Sequence, residues 1–442
     1  RRAAWLLALA PGAWGLRAPG RAGVGAADDR GEGFLEPAGG LASPYRQRMK
    51  NYQNLEYITY IRVGEQWMRA VLDSGSWELI VFSRRCTTCG AAPAYDDQHS
   101  ASLIRGGHRR THSYGSGSCN TEDGLERIGL GPFQLDSQTV WSAVDCHMPL
   151  LDNAVFNAII GIGPPGGEGK LLAEASPAAA EPQAGAAQPA ASLLEALGIG
   201  TYSTCLGREP GSPGWTVWND YTREGHPGVV KLEVVGEVYW NVHLRSFALQ
   251  GYEDVGCDMG CGAVVDTGSS LLGVPSVVFR AVQRDLAKSN ATCEDISGFP
   301  DIVLEFPGSN TLRFPPTSYI GTMRGKVNAE AAHFVRVDEQ QLRGGCSLML
   351  MNLGDMRTPL GPMFILGMPF FREYYTTFDL GVGRGSRSLL VSRATEGCEP
   401  DLSTSLQEFA RRHNSHDITP RQVDVSKLRL PHWLRNRTST VI

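Results

Sequence analysis

From Leu55 the chain reads LEYITYIRV and, a few residues on, WMRAVL. β-branched and aromatic residues there alternate with polar ones or run together, which predicts strands, the second ending at Asp73. Ordered structure is expected to begin near Tyr52. Two short apolar runs close on glycine, AIIG at Gly161 and FILG at Gly367. The pattern SLLEALGIG predicts one helix ending at Gly198. Residues 164–191 are a low-complexity stretch of Pro, Gly and Ala with too little to bury, and are expected to form a surface loop. Residues 11 to about 44 have the same poverty of packing residues. Beyond Glu399 the tail turns basic and shows no strand pattern, so it reads as an appendage with a solvated or partner-binding role.

Composition sharpens this into an all-β expectation with two lobes. A chain of 442 residues is too long for one ordinary domain, only 20% of it is charged, and 52 Gly and 26 Pro favour turns over long surface helices. A net charge of -5 offers no field to attract a polyanion, so nucleic acid is not expected as a partner. The start, RRAAWLLALAPGAWG, has the layout of a secretory signal peptide. No later run is long enough to span a membrane; PMFILGMPFF is broken by Gly367 and Pro369. Ten cysteines suggest disulfides and an oxidising compartment, with Cys86/Cys89 and Cys257/Cys261 as local pairs. A zinc or redox reading of CTTC lacks a full ligand set, so no metal and no cofactor are expected. Asn290-Ala-Thr and Asn436-Arg-Thr are glycosylation sequons consistent with that compartment.

The chain also repeats itself. VLDSGSWELIVFS, Val71 to Ser83, aligns without a gap on VVDTGSSLLGVPS, Val264 to Ser276, with identity at seven of thirteen positions. Each copy is followed, in the same order, by one of the apolar-apolar-Gly runs. That is the trace of a duplicated lobe. A carboxylate at a strand end followed by a hydroxyl residue and glycine suits a tight turn, and one copy would be only a turn. Two copies related by an approximate twofold axis can bring Asp73 and Asp266 together. Two carboxyls in hydrogen-bonding reach cannot both ionise cheaply, so they share a proton and can activate a water between them. This reading of paired carboxylates follows the general logic for which pepsin is the standard example.

On these motifs the sequence resembles the pepsin-like aspartic proteases over roughly Tyr52 to Arg393. THSYGSGS resembles the family's flap hairpin, CDMGCGAVVDTGSSLL its disulfide loop and second acidic motif, and FPDIVLEF with FILGMPFFREYYTTFD its C-terminal lobe. The resemblance implies a bilobal all-β fold with a central cleft and an aspartic endopeptidase that acts on peptide or protein substrates as a monomer. It implies Asp73 and Asp266 as catalytic residues and Tyr114, Gly115, Ser116, Gly75, Gly268 and Ser269 as substrate-binding ones. Ser74, Ser76 and Thr267 would support them. It also implies a Cys293–Cys346 disulfide. The pairing of Cys119, Cys146, Cys205 and Cys398 stays open, with Cys119–Cys146 and Cys205–Cys398 as first choice. The organisation expected is a signal peptide and short prosegment (1–44), an N-terminal lobe (45–205), a C-terminal lobe (206–395) and a tail (396–442), in the secretory route, either secreted or in a lysosome-like compartment.

Three departures from the family pattern stand out. Ser74 replaces a usual Thr but keeps its hydroxyl. Ile80 stands where a Trp commonly hydrogen-bonds the flap tyrosine, a role Trp77 could take from another direction. Met368 replaces an acidic residue frequent after ILG. Other chemistries are excluded by context. GIGPPG lacks the helix a dinucleotide needs, and no G-x-S-x-G or H-E-x-x-H occurs. His112 is expected at the surface. The N-terminal RQRMK, with Lys50, is expected either to occupy the acidic cleft as a prosegment or to be leader. The competing reading of the whole is a pepsin-like fold used only for binding or inhibition.

Overall fold

The computed structural model describes residues 44–92, 94–167, 192–257, 259–288, 292–327, 329–335, 345–382, 385–403 and 420–434. The signal-peptide region, residues 168–191 of the low-complexity stretch and both sequon asparagines lie outside the described residues.

The duplication is visible in the backbone. In the first half Gln66–Asp73 runs parallel to Ala158–Gly161, with Asp73 opposite Gly161, and Leu79–Phe82 packs antiparallel on the other edge of Ala158–Gly161. In the second half Cys261–Val265 runs parallel to Gly361–Leu366, and Leu272–Val274 crosses that strand antiparallel at Gly273 and Ile365. Leu79–Phe82, Ala158–Gly161, Cys261–Val265 and Leu272–Val274 are buried throughout, which explains continuous apolar runs where a half-exposed strand would alternate. The glycine closing each run has a steric reason. A Cβ on Gly161 would lie 2.4 Å from the carbonyl carbon of Trp77, and one on Gly367 would lie 2.3 Å from the oxygen of Leu271. Only glycine lets these strands approach the acidic turns so closely.

The sheet that holds the first-half strands continues across and stitches the halves. Thr201–Leu206 lies between Gly214–Trp218 and Tyr374–Asp379, and Tyr45–Tyr52 pairs with Gly214–Trp218 before turning into Glu56–Val63. The boundary expected between 205 and 206 therefore falls within a strand of a shared sheet. The aromatic rings of Tyr202 and Phe378 stack at 4.5 Å beneath it, with Trp218 and Trp240 buried alongside.

Both flanks of the fold differ from expectation. Tyr45–Tyr52 is already a strand, so ordered structure precedes Tyr52, and RQRMK lies in that strand instead of filling the cleft. Gln47 and Met49 point inward, Gln47 accepting from Trp218 Nε1 at 2.7 Å, while Arg48 and Lys50 alternate outward. Period-two alternation, which the basic residues obscured, is the physical reason. The tail is not a detached appendage either: Arg421–Asp424 adds as a parallel strand to Ile320–Arg324, and Val423, Val425, Leu428, Leu430 and Leu434 join a buried apolar cluster.

The helix expected over SLLEALGIG is present as Leu193–Ala196, opened by a capping box between Ser192 and Glu195, with Gly198 in the left-handed region (φ +65) just beyond its end. The sulfurs pair as Cys86–Cys89, Cys119–Cys146, Cys205–Cys398, Cys257–Cys261 and Cys293–Cys346. Among the described residues no helix is long and apolar enough to cross a membrane.

Candidate active site

Each acidic turn is wired to itself in the same way. Asp73 Oδ1 accepts the Gly75 amide at 3.0 Å and Oδ2 accepts the Ser76 hydroxyl at 2.8 Å. Asp266 repeats this with the Gly268 amide at 2.7 Å and the Ser269 hydroxyl at 2.6 Å. The turns then brace one another. The Ser74 amide donates to Thr267 Oγ1 at 2.9 Å, and the Thr267 amide returns a bond to Ser74 Oγ at the same distance. The hydroxyls continue inward, Thr267 to the Leu72 carbonyl and Ser74 to the Val265 carbonyl. The serine in the first motif thus does what its hydroxyl requires.

This cross-bracing brings the two carboxyls side by side. A Cβ on Gly268 would sit 2.2 Å from Asp73 Oδ1 and 2.9 Å from Asp266 Oδ1, so one methyl-sized volume touches both. Asp266 is fully buried and Asp73 retains 6% exposure. Burial, and next the charge of Asp73, push the Asp266 carboxyl from its ordinary 3.8 to about 7, against the bonds from Ser269 and Gly268 and the charge of Arg429. Asp266 therefore keeps its proton up to about neutral pH.

The segment expected to form the flap is a hairpin of Ile104–Tyr114 and Gly117–Leu130, turning through Gly115 and Ser116. Tyr114 is buried in a cluster with Ile80 and Val71. Its phenol is pushed up by burial first and then by the charges of Glu78 and Asp73. Trp77 does not substitute for the missing indole partner: its Nε1 has no hydrogen-bond partner among the described residues. Instead the His432 ring meets both, at 5.3 Å from Tyr114 and 5.6 Å from Trp77, edge-on in each case.

His112 is buried, contrary to expectation, because its ring packs edge-on against Trp141 at 5.1 Å. Burial, then Arg110 and His432, lower it to about 3, so the imidazole that approaches Glu78 at 3.6 Å is neutral. Glu78, buried and 3.1 Å from Arg110, is a residue the sequence reasoning missed. Its signal was available, as an acidic residue directly before the apolar run Leu79–Phe82. Met368 is buried, and its amide donates to the Ser269 carbonyl at 2.9 Å, so its backbone supports the second acidic turn.

The residues most clearly missed belong to the tail. Arg429 is buried beneath the flap; its amide donates to Ser270 Oγ at 2.9 Å, its carbonyl accepts from the Ser270 amide at 3.2 Å and its guanidinium donates to the Thr267 carbonyl at 3.2 Å. Burial lowers its basicity, with Asp73, Glu56 and Asp266 acting in the opposite sense. Three sulfurs, of Cys86, Cys89 and Cys146, also converge within 4.8 Å, but each is already bonded in a disulfide and none is a thiolate ligand.

This geometry, with its duplicated acidic turns, agrees with the sequence comparisons. The eukaryotic aspartyl protease family matches residues 56–386. The chain belongs to that family. Among its relatives, bovine (Bos taurus) pepsin A is 26% identical over 363 residues, covering 79% of this chain and 88% of pepsin. Cathepsin E of Aquarana catesbeiana is 25% identical over 370 residues, 80% of this chain and 85% of its own length. Cathepsin E of Rattus norvegicus is 26% identical over 348 residues, 75% and 79% of the two chains. The family fold is the bilobal all-β one, and its members act on peptides.

Proposed function

We propose that the chain is an aspartic endopeptidase in which Asp73 and Asp266 activate a water between them. The observation that carries this reading is the unequal setting of two adjacent, identically wired carboxyls. Asp266, dry and beside another carboxyl, holds a proton. Asp73 is the base. As water attacks the amide carbon, its proton passes to Asp73 while Asp266 gives its proton to the carbonyl oxygen, leaving a neutral tetrahedral diol. Proton transfer from Asp73 to the amide nitrogen then breaks the C–N bond, and collapse of the diol returns a proton to Asp266, releasing a carboxylic acid and an amine. Neither a metal nor a covalent intermediate enters these steps.

The flap amides and hydroxyl at Gly115 and Ser116 and the loop residues Gly75, Gly268 and Ser269 supply contacts for an extended peptide backbone. Tyr114 closes over it. Five disulfides support an oxidising, secretory setting for the reaction.

The test is hydrolysis of a denatured protein between pH 3 and 7, by the full chain and by an Arg429→Ala variant, with and without pepstatin. Asp266→Asn, which keeps shape and removes the ionisable oxygen, is expected to lower the rate at least about a thousand-fold while leaving the circular dichroism unchanged. No cleavage by either chain at any pH, or cleavage indifferent to Asp266→Asn, would overturn the reading in favour of a binding protein.

A further inference from the structure

The groove between the flap and the acidic turns already contains a peptide, and that peptide is this chain's own. Its backbone is held from both sides. Below, Ser270 makes two bonds to Arg429, through its hydroxyl and its amide. Above, the Leu430 amide donates to Ser116 Oγ at 3.1 Å, and the Gly115 amide donates to the Pro431 carbonyl at 2.9 Å. The fit is close: a Cβ on Gly115 would be 2.4 Å from the Pro431 oxygen and 2.6 Å from the Leu430 Cβ. These are backbone bonds of the kind that any extended substrate could make, and they engage the flap residues expected to grip one.

Side chains complete the seal. Leu430 and Leu434 are buried in one apolar cluster that also holds Leu271, Met351 and Ile365. The His432 ring fits between Tyr114 and Trp77, and Trp433 packs against Tyr239 at 6.1 Å. Upstream, Lys427 makes a buried ion pair with Glu56 at 2.9 Å and donates to the Asn153 carbonyl. The strand Arg421–Asp424 fixes the segment's start. At Pro431 the path changes: its carbonyl also accepts the Leu434 amide at 3.1 Å, so the chain turns instead of continuing extended past the carboxyl pair.

We propose that residues Arg421–Leu434 are an intramolecular inhibitor, a substrate-like segment that fills the peptide cleft and must be displaced before another peptide can enter. The inference rests on the endopeptidase reading for its consequence, the suppression of hydrolysis, while occupancy of the cleft can be measured separately. Arg429 is the segment's most committed residue. Its guanidinium donates to the Thr267 carbonyl, one residue beyond Asp266, while its backbone is locked to Ser270, so the segment brings a basic side chain to the second acidic turn.

Binding, which requires no catalysis, separates the two readings. A fluorescent pepstatin is titrated into the full chain and into an Arg429→Ala/Leu434→Ala variant, and anisotropy is read at pH 5. The variant is expected to bind at least about tenfold more tightly, and a synthetic peptide of residues 421–434, added in trans, is expected to compete. Equal affinity in the two proteins, with no competition by the peptide, would overturn the inference. Tighter binding in the variant without hydrolysis would uphold cleft occupancy and instead defeat the endopeptidase reading. If the double variant loses its circular dichroism signal, Trp433→Ala, which removes only a half-buried ring, replaces it under the same criteria. Hydrogen exchange at Gly115 supplies an independent check in the unaltered chain: slow exchange supports a covering Pro431 carbonyl, and exchange as fast as in open loops contradicts it.

Discussion

The loops around Asp73 and Asp266 share a skeleton but not a setting. Both use a glycine amide and a serine hydroxyl to fix the two carboxylate oxygens, and both rest against a glycine-ended strand. One residue further they diverge. Ser76 is followed by Trp77 and Glu78, which face the flap through His432 and Arg110. Ser269 is followed by Ser270 and Leu271, which hold the tail. Duplication thus supplies equal carboxyls, and their neighbours make them unequal, which lets one keep a proton beside the other.

The largest expected effect that sharpens this comparison is on stability against pH. Because the folded carboxyl of Asp266 titrates at about 7 and the unfolded one at 3.8, the folded chain binds more protons within that window. Stability therefore falls as pH rises from about 4 to about 7 and levels off above it, by on the order of a few kcal/mol. In Asp266→Asn that slope should vanish. Asp73→Asn should only lessen it, since burial is the larger cause and the Asp73 charge the second. Thermal unfolding across the window checks this, and equal slopes in all three proteins would refute the assignment.

Next in size are the glycines behind the turns. Gly161→Ala and Gly367→Ala each force a methyl against backbone that cannot step aside, and each should lower unfolding stability by about 2–3 kcal/mol. Matching losses in urea titrations would show that the two supports are equivalent. A loss at one site only would break the symmetry. Smaller still is the cross-brace. Thr267→Ala removes the acceptor for the buried Ser74 amide and the donor to the Leu72 carbonyl, a loss of about 1–3 kcal/mol. Thr267→Ser should restore most of it, because the first motif already works with a serine at the equivalent place.

How much of this could be read from the sequence depended on whether a segment's partners are local. The acidic turns were legible because strand, turn and hydroxyl lie within a few residues, and because the repeat supplies an internal control. The apolar runs ending at Gly161 and Gly367 were legible for the same reason, although the backbone that demands those glycines is far away in sequence. His112 was misplaced because nothing in THSYGSGS reveals that Trp141 will cover it. The tail was misread because its burial is tertiary. Val423 and Val425 do alternate with polar neighbours, but Lys427 and Arg429 look like surface residues until Glu56 and the carboxyl pair are placed beside them. Likewise, the basic character of RQRMK suggested a cleft-seeking prosegment, whereas the inward Gln47 and Met49 decided its conformation.

The shared sheet has a consequence for how such a molecule can be cut or rearranged. With Thr201–Leu206 hydrogen-bonded on one side to Gly214–Trp218 and on the other to Tyr374–Asp379, neither half carries a complete set of strand neighbours. A gene fragment encoding one half would expose raw amide and carbonyl rows, and such fragments would seek each other or aggregate. The duplicated ancestry visible around the carboxyls therefore no longer implies separable parts: the ancestral seam has been sewn through by the very strands that lie farthest from the chemistry.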